Sequence, residues 1–220
     1  MLAIIGAGAY VINQSSITKT APETTGVTSS PQFTTKLSPV EVEALKYMVE
    51  EEKLARDVYT ALAQKYPDVK VFSNIAKSEQ THINAVKSLL DKYGIQAELK
   101  PPGEFNNPHL QELYKKLVDK GDKSLKDALE VGAAIEEIDI VDLQKWLRNV
   151  TNPDIQQVFE FLMRGSRNHL RAFVSVLQSM GVKYVPQYLD PKTYEEIISS
   201  PMETGGGNAT GAGKQGPGGG

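Results

Sequence analysis

Glu79 and His82 stand in the run Ile75-Ala76-Lys77-Ser78-Glu79-Gln80-Thr81-His82, three residues apart. In a helix that spacing stacks a carboxylate and an imidazole one turn apart on one face. A lone pair of this kind is usually a solvated surface pair. Here it falls on the apolar seam Phe72, Ile75, Glu79, His82, Val86, Leu89 and Tyr93. Three further helical seams carry the same kind of interruption. Glu52 lies in the middle of Leu45, Met48, Ala55, Tyr59 and Leu62. Glu136 and Asp139 lie among Leu125, Leu129, Gly132, Leu143 and Trp146. His169 lies among Ile155, Phe159, Leu162, Ser166, Phe173, Val176 and Met180. Three-and-four spacing selects the face of a helix that points into the core, so these acids and imidazoles stand where leucines belong.

A buried, isolated carboxylate costs several kcal/mol even after relaxation, and a chain that turns four of them inward with two imidazoles must compensate them. A divalent cation does so. The sequence has no cysteine, which rules out thiolate ligands, iron–sulfur clusters, zinc ribbons and disulfides within it. Oxygen and imidazole ligands without thiolate suit iron, manganese or zinc. The candidate metal ligands are therefore Glu52, Glu79, His82, Glu136, His169 and Asp139. Glu50, Glu51 and Glu137, beside the seams, are expected to form a solvated acidic face. Arg56 and Arg167 are candidates to pair with the site carboxylates, Tyr59 shares a face with Glu52, and His109 is expected to be exposed.

These residues need helices to position them, and the chain marks the helices clearly. Ser38, Pro39 and Glu41 form a capping box with proline at the first helical position, and Pro67 stops that helix after Tyr66. A second helix is expected from about Ser73 to Gly94. A long connection from Ile95 to Lys123, broken at Pro101, Pro102 and Gly103, holds a short helix from Asn107 to Leu117. The third and fourth long helices run from Ser124 to Leu147 and from Asn152 to Met180, and a short last one from Pro191 to Ser199. The fold class expected is all-α: a four-helix bundle over residues 37–200 with a long crossover between its second and third helices.

The ends differ in composition. Residues 1–36 begin with the apolar run Leu2 to Ile12, too short to span a bilayer, and continue as a Ser/Thr/Pro-rich linker. Residues 201–220 are glycine-dominated and cannot build a core. An extracytoplasmic or membrane-tethered location is the expectation, against an apolar arm docked on the bundle in a cytoplasmic protein. Sequons stand at Asn13, Asn149 and Asn208. The 24 basic and 27 acidic residues form no basic block interleaved with aromatics, so nucleic acid is not an expected partner. Metal ions, an external electron donor and a second copy in a homodimer are.

The runs Glu50-Glu51-Glu52-Lys53-Leu54-Ala55-Arg56-Asp57-Val58-Tyr59 and Ile75 to His82 resemble the first half of the rubrerythrin and ferritin-like site. With Ile135-Glu136-Glu137-Ile138-Asp139-Ile140 and Ser166-Arg167-Asn168-His169-Leu170, they are more similar still to an uncharacterised, rubrerythrin-related ferritin-like family known as a domain of unknown function. The resemblance covers about Leu37 to Leu189. It implies a ferritin-like bundle and a di-iron or other dinuclear carboxylate site using Glu52, Glu79, His82, Glu136 and His169. The activity implied is that of an oxidase, peroxidase or ferroxidase. One departure stands out: rubrerythrins carry a second Glu-x-x-His on the fourth helix, and here the first position of that motif is Ser166. Asp139 can replace the lost oxygen, as can Glu137 or Glu51 if the helices are rotated. The competing expectation is a non-catalytic surface or structural protein, stapled by one metal or holding none.

Overall fold

The computed structural model describes residues 36–204, and these form six helices with no strand among them. They are α1 (Pro39–Lys65), α2 (Lys70–Lys92), α3 (Pro108–Gly121), α4 (Leu125–Leu147), α5 (Pro153–Ser179) and α6 (Pro191–Ser199). The apolar run Leu2 to Ile12, the linker after it, the glycine-rich tail from residue 205 and the sequons at Asn13 and Asn208 lie outside the described residues. Asn149 is exposed. No helix among the described residues is long and apolar enough to cross a membrane.

Local chemistry explains the helix ends. Ser38 closes a capping box with Glu41, and Asn107, Ser124, Asn152 and Asp190 each accept from the first free backbone amides of the helix that follows. Proline occupies the first turn of α1, α3, α5 and α6. Only α2 lacks a side-chain cap. Its start at Lys70 is three residues ahead of the expected Ser73, because packing rather than a capping residue sets it. α3 runs four residues past the expected Leu117, to Gly121. Its last turns pack against α1 and α4, where Leu117 and Gly121 are buried.

α1 lies along α2 and α4 along α5. The two pairs meet through α2 with α5 and α1 with α4, while α3 covers α1 and α4 and α6 rests on α5. Glu41 ties the pairs together at one end. One of its oxygens completes the α1 cap, and the other accepts from the amides of Thr151 and Asn152 at 3.1 and 2.8 Å, at the start of α5. The apolar interior falls into two clusters. One contains Val58, Tyr59, Leu62, Phe72, Leu129 and Phe173, the other Leu45, Met48, Val86, Leu143, Phe159 and Leu162. The polar seam residues lie between them along each long helix. Against α5, α4 presents Gly132, where a Cβ would come within 2.4 Å of the Phe173 ring, so a side chain there would force the two helices apart.

Candidate metal centre

Glu52, Glu79, His82, Glu136, Asp139 and His169 are all buried, and all sit in the polar layer between the two apolar clusters. α1 and α2 supply the first group: Nδ1 of His82 lies 3.1 Å from Glu52 Oε2 and 2.8 Å from Glu79 Oε2. Glu79 turns its other oxygen to the second group. There Nδ1 of His169, from α5, lies 2.8 Å from Glu79 Oε1 and 3.5 Å from Glu136 Oε2 of α4. Glu52, Glu79 and His82 therefore bring one ligand atom each within 4.8 Å of one another, and so do Glu79, Glu136 and His169. The imidazoles stack at 5.5 Å between centroids. Two potential cation-binding triads share one carboxylate.

The surroundings fix each group. Tyr59 donates to Glu136 Oε1 at 2.5 Å and also reaches the Gly132 carbonyl, which leaves Glu136 Oε2 facing His169. Nε2 of His169 hydrogen-bonds the Ser78 hydroxyl at 2.9 Å, which sets the ring with Nδ1 inward. Ser166 donates to Asp139 Oδ2, and Asp139 Oδ1 remains buried without a partner, as does Glu52 Oε1. Of the six predicted ligands, five fall in the triads. Asp139 stands beside them, held by Ser166 of α5.

Electrostatics divides the site into unlike protonation states. Burial acts to raise Glu79, but the flanking imidazoles of His169 and His82 outweigh it and hold this carboxyl well below the usual range. Burial, then the charge of Asp139, pushes Glu52 up, and burial likewise raises Glu136. Asp139 is pushed up to about 8 by burial, with the charges of Glu136 and Glu79 adding to it. Burial acts to lower both histidines, yet the carboxylates around them prevail: Glu52 and Glu79 raise His82, and Glu79 and Glu136 raise His169 to about 10. Without a cation, Glu79 is favoured as an anion between two imidazoliums, while burial works against the charge of Glu52, Glu136 and Asp139.

Several neighbours behave otherwise than expected. Glu50, Glu51 and Glu137 are buried rather than solvated. Segments of the chain far from them in sequence cover the second faces of α1 and α4. Glu50 accepts from the amides of Asn106 and Asn107, pinning the crossover to α1. Glu137 accepts from the amides of Gln187, Tyr188 and Leu189 and from Tyr184, pinning the segment before α6. Arg56 and Arg167 do not reach the site: Arg56 pairs with Asp57 and Gln80, and Arg167 pairs with Glu203, which also receives Arg171. That contact holds residues 201–204 against α5. His109 is exposed, as expected, and so is Met180, at the end of its seam.

Gly165 is a site residue that periodicity did not reveal. A Cβ there would lie 2.4 Å from Cε1 and Nε2 of His82, so the imidazole packs directly on the backbone of α5. A glycine in mid-helix, unfavourable by about 1 kcal/mol, is the signal that marks such a close approach. Gly165→Ala is expected to push the His82 ring out of place and weaken divalent-cation binding roughly 10- to 100-fold, the range found when ligand-orienting contacts are lost. Chelator competition reads the affinity. Wild-type affinity in the variant would show that the ring is free to shift without consequence.

With this geometry in view, the comparisons with known proteins place the chain. Residues 41–201 match the family model described as "Uncharacterized protein domain (DUF2202)", and the chain belongs to that family. It is 56% identical over 171 residues to the uncharacterized protein MJ0754 of Methanocaldococcus jannaschii, a match covering 77% of this chain and 92% of that one. The crystal structure of hypothetical protein MJ0754 from Methanococcus jannaschii is similar with a TM-score of 0.74 at 53% identity, covering 81% of this chain and all of the solved one.

Proposed function

We propose that the four long helices form a ferritin-like bundle whose core binds two divalent metal ions, iron foremost, in an oxidase, peroxidase or ferroxidase type of site. One observation carries the reading: each oxygen of Glu79 faces a different imidazole, and each triad is completed by a carboxylate from another helix. Dinuclear carboxylate proteins combine a glutamate from each of two helices with Glu-x-x-His on each of the other two, and this chain carries that pattern with Ser166 in place of one glutamate. Glu52 and His82 would hold one ion, Glu136 and His169 the other, and Glu79 would bridge. The free oxygen of Asp139, oriented by Ser166, stands in for the carboxylate that position 166 lacks.

Bound iron would supply the electrons that reduce oxygen or peroxide. The protein's part is to hold and shield. Tyr59 fixes the Glu136 carboxylate by its phenolic hydrogen, Ser78 fixes His169, and the apolar clusters on both sides of the layer exclude bulk water. No cysteine is present to build a rubredoxin-type centre in this chain. The electrons therefore come from an external donor, or from ferrous iron itself in a ferroxidase.

Ser166 supports a second reading, a redox-silent metal staple in a structural protein, because loss of a bridging carboxylate weakens the hold on a second ion. Metal analysis after loading separates the two. Two equivalents of iron with an oxygen-dependent near-ultraviolet absorption band are expected for the dinuclear site. A single equivalent of redox-silent metal supports the staple. A chain that binds no metal overturns both.

A further inference from the structure

Glu51 shares a partnerless buried oxygen with Glu52 but, unlike Glu52, has no imidazole beside it. Glu50 is satisfied by backbone amides of the crossover, and Asp57 by Lys53, Arg56 and the Gly103 amide. Glu51 is only 3% exposed, yet its Oε2 has no partner. Its Oε1 is 3.3 Å from the Tyr47 hydroxyl, which lies 2.9 Å from Oδ2 of Asp142 on α4. Tyr47 has one proton to give to both. No cationic side chain among the described residues forms an ion pair with Glu51 or Asp142. The inner triads have imidazoles to balance their acids; this pair has nothing.

We propose that Glu51 and Asp142, with the Tyr47 hydroxyl, form an outer divalent-cation position at the seam of α1 and α4, from which cations pass to the inner site. Asp142 and Tyr47 are partly exposed and make the mouth. Glu51 is next to Glu52 along α1 and Asp142 is one turn beyond Asp139 along α4, and Glu51, Glu52 and Asp139 each keep a buried oxygen without a partner. Carboxylates lining a path between low-dielectric walls concentrate cations along it. Oxygen-only ligands suit a hard, still partly hydrated ion, whereas the imidazoles further in favour a transition metal. The outer position stands by itself; its role as an entrance rests on the metal reading of the inner triads.

The chain's single tryptophan, Trp146, lies 5.9 Å from the Tyr47 ring and reports on this position. Terbium emission sensitised through tryptophan is expected in the wild-type protein and in Glu79→Ala. It should be lost in Glu51→Gln and weakened in Asp142→Asn, with helix content by circular dichroism and melting temperature checking that each variant is folded. Asp142 is partly exposed, so its variant tests the position with little disturbance of the core. Loading of cobalt into the inner site, followed by its visible absorption, should slow roughly tenfold in Glu51→Gln while reaching the same final occupancy. Sensitised emission unchanged in both Glu51→Gln and Asp142→Asn, or abolished in Glu79→Ala, would overturn the outer position. Emission that behaves as expected in a protein whose triads bind no cobalt would leave the outer position standing and remove the inner reading instead.

Discussion

Glu79→Ala is expected to abolish metal binding at both proposed inner positions at once and to lower the melting temperature of the metal-free protein as well. No other single ligand is expected to do both. Glu52 or Glu136 serves one triad, whereas Glu79 gives an oxygen to each. Removing it leaves His82 and His169 stacked at 5.5 Å without the carboxylate that holds both protons in place. Breaking a buried ion pair by deleting one partner costs about 3–5 kcal/mol, because the remaining charge is uncompensated. For a domain of this size that corresponds to a fall of roughly 6–20 °C in melting temperature. Glu79→Gln keeps the shape and separates the two effects: metal is lost, and the thermal penalty shrinks as the imidazoles give up their protons. Calorimetry with and without chelator, together with metal content, measures both. An unchanged melting temperature and unchanged occupancy in Glu79→Ala would count against every metal reading of the core.

The parts of this architecture that could be read from sequence are those governed by neighbours in the chain. Ser38-Pro39, Asn107-Pro108, Asn152-Pro153 and Asp190-Pro191 each encode a cap and a first turn locally, and the helices that follow start where those residues place them. The inward acids were legible for a related reason. Periodicity fixes which face of a helix is buried, and Glu52, Glu79, His82, Glu136 and His169 occupy that face. What escaped depends on segments distant in sequence. Glu50 and Glu137 satisfy backbone amides of the crossover and of the stretch before α6, more than fifty and about fifty residues away. No period along α1 or α4 announces those loops. Glu50, Glu51 and Glu137 therefore read as a solvated face, when their helices are in fact covered on two sides.

The same contrast separates acids that hold the fold from acids that are costly to it. Glu41, Glu50 and Glu137 each accept several hydrogen bonds from backbone amides, so their oxygens have donors inside the fold. Glu52 and Asp139 instead keep a buried oxygen with no donor. A folded chain tolerates that only when the group is protonated or a cation completes it. The acids of the central layer are thus the ones with a reason to bind metal, and those that pin the loops are not.

If the core binds metal as proposed, this distinction is expected to give the metal-free and metal-loaded proteins different responses to pH. His169, raised from 6.5 to about 10, stabilises the metal-free fold fully below pH 6.5 and loses that contribution as pH rises through 10. Asp139, raised from 3.8 to about 8, favours the fold fully below 3.8, and that preference is lost as pH rises to 8. Glu79, held low, acts the other way only in acid, below its ordinary 4.5. From about pH 5 to about pH 9 the raised groups decide the sign, and the melting temperature of chelator-treated protein is expected to fall. Metal loading must displace the protons of both His82 and His169, so affinity climbs over the same interval and at least two protons are released per fully loaded chain. The loaded protein consequently gains thermal stability relative to the metal-free one as pH rises. Titration of metal into lightly buffered protein with a pH electrode counts the protons, and paired melting curves across the range give the stability. Loading without proton release would mean that the imidazoles are neutral before the ion arrives, and that Glu79 is not held between two positive charges.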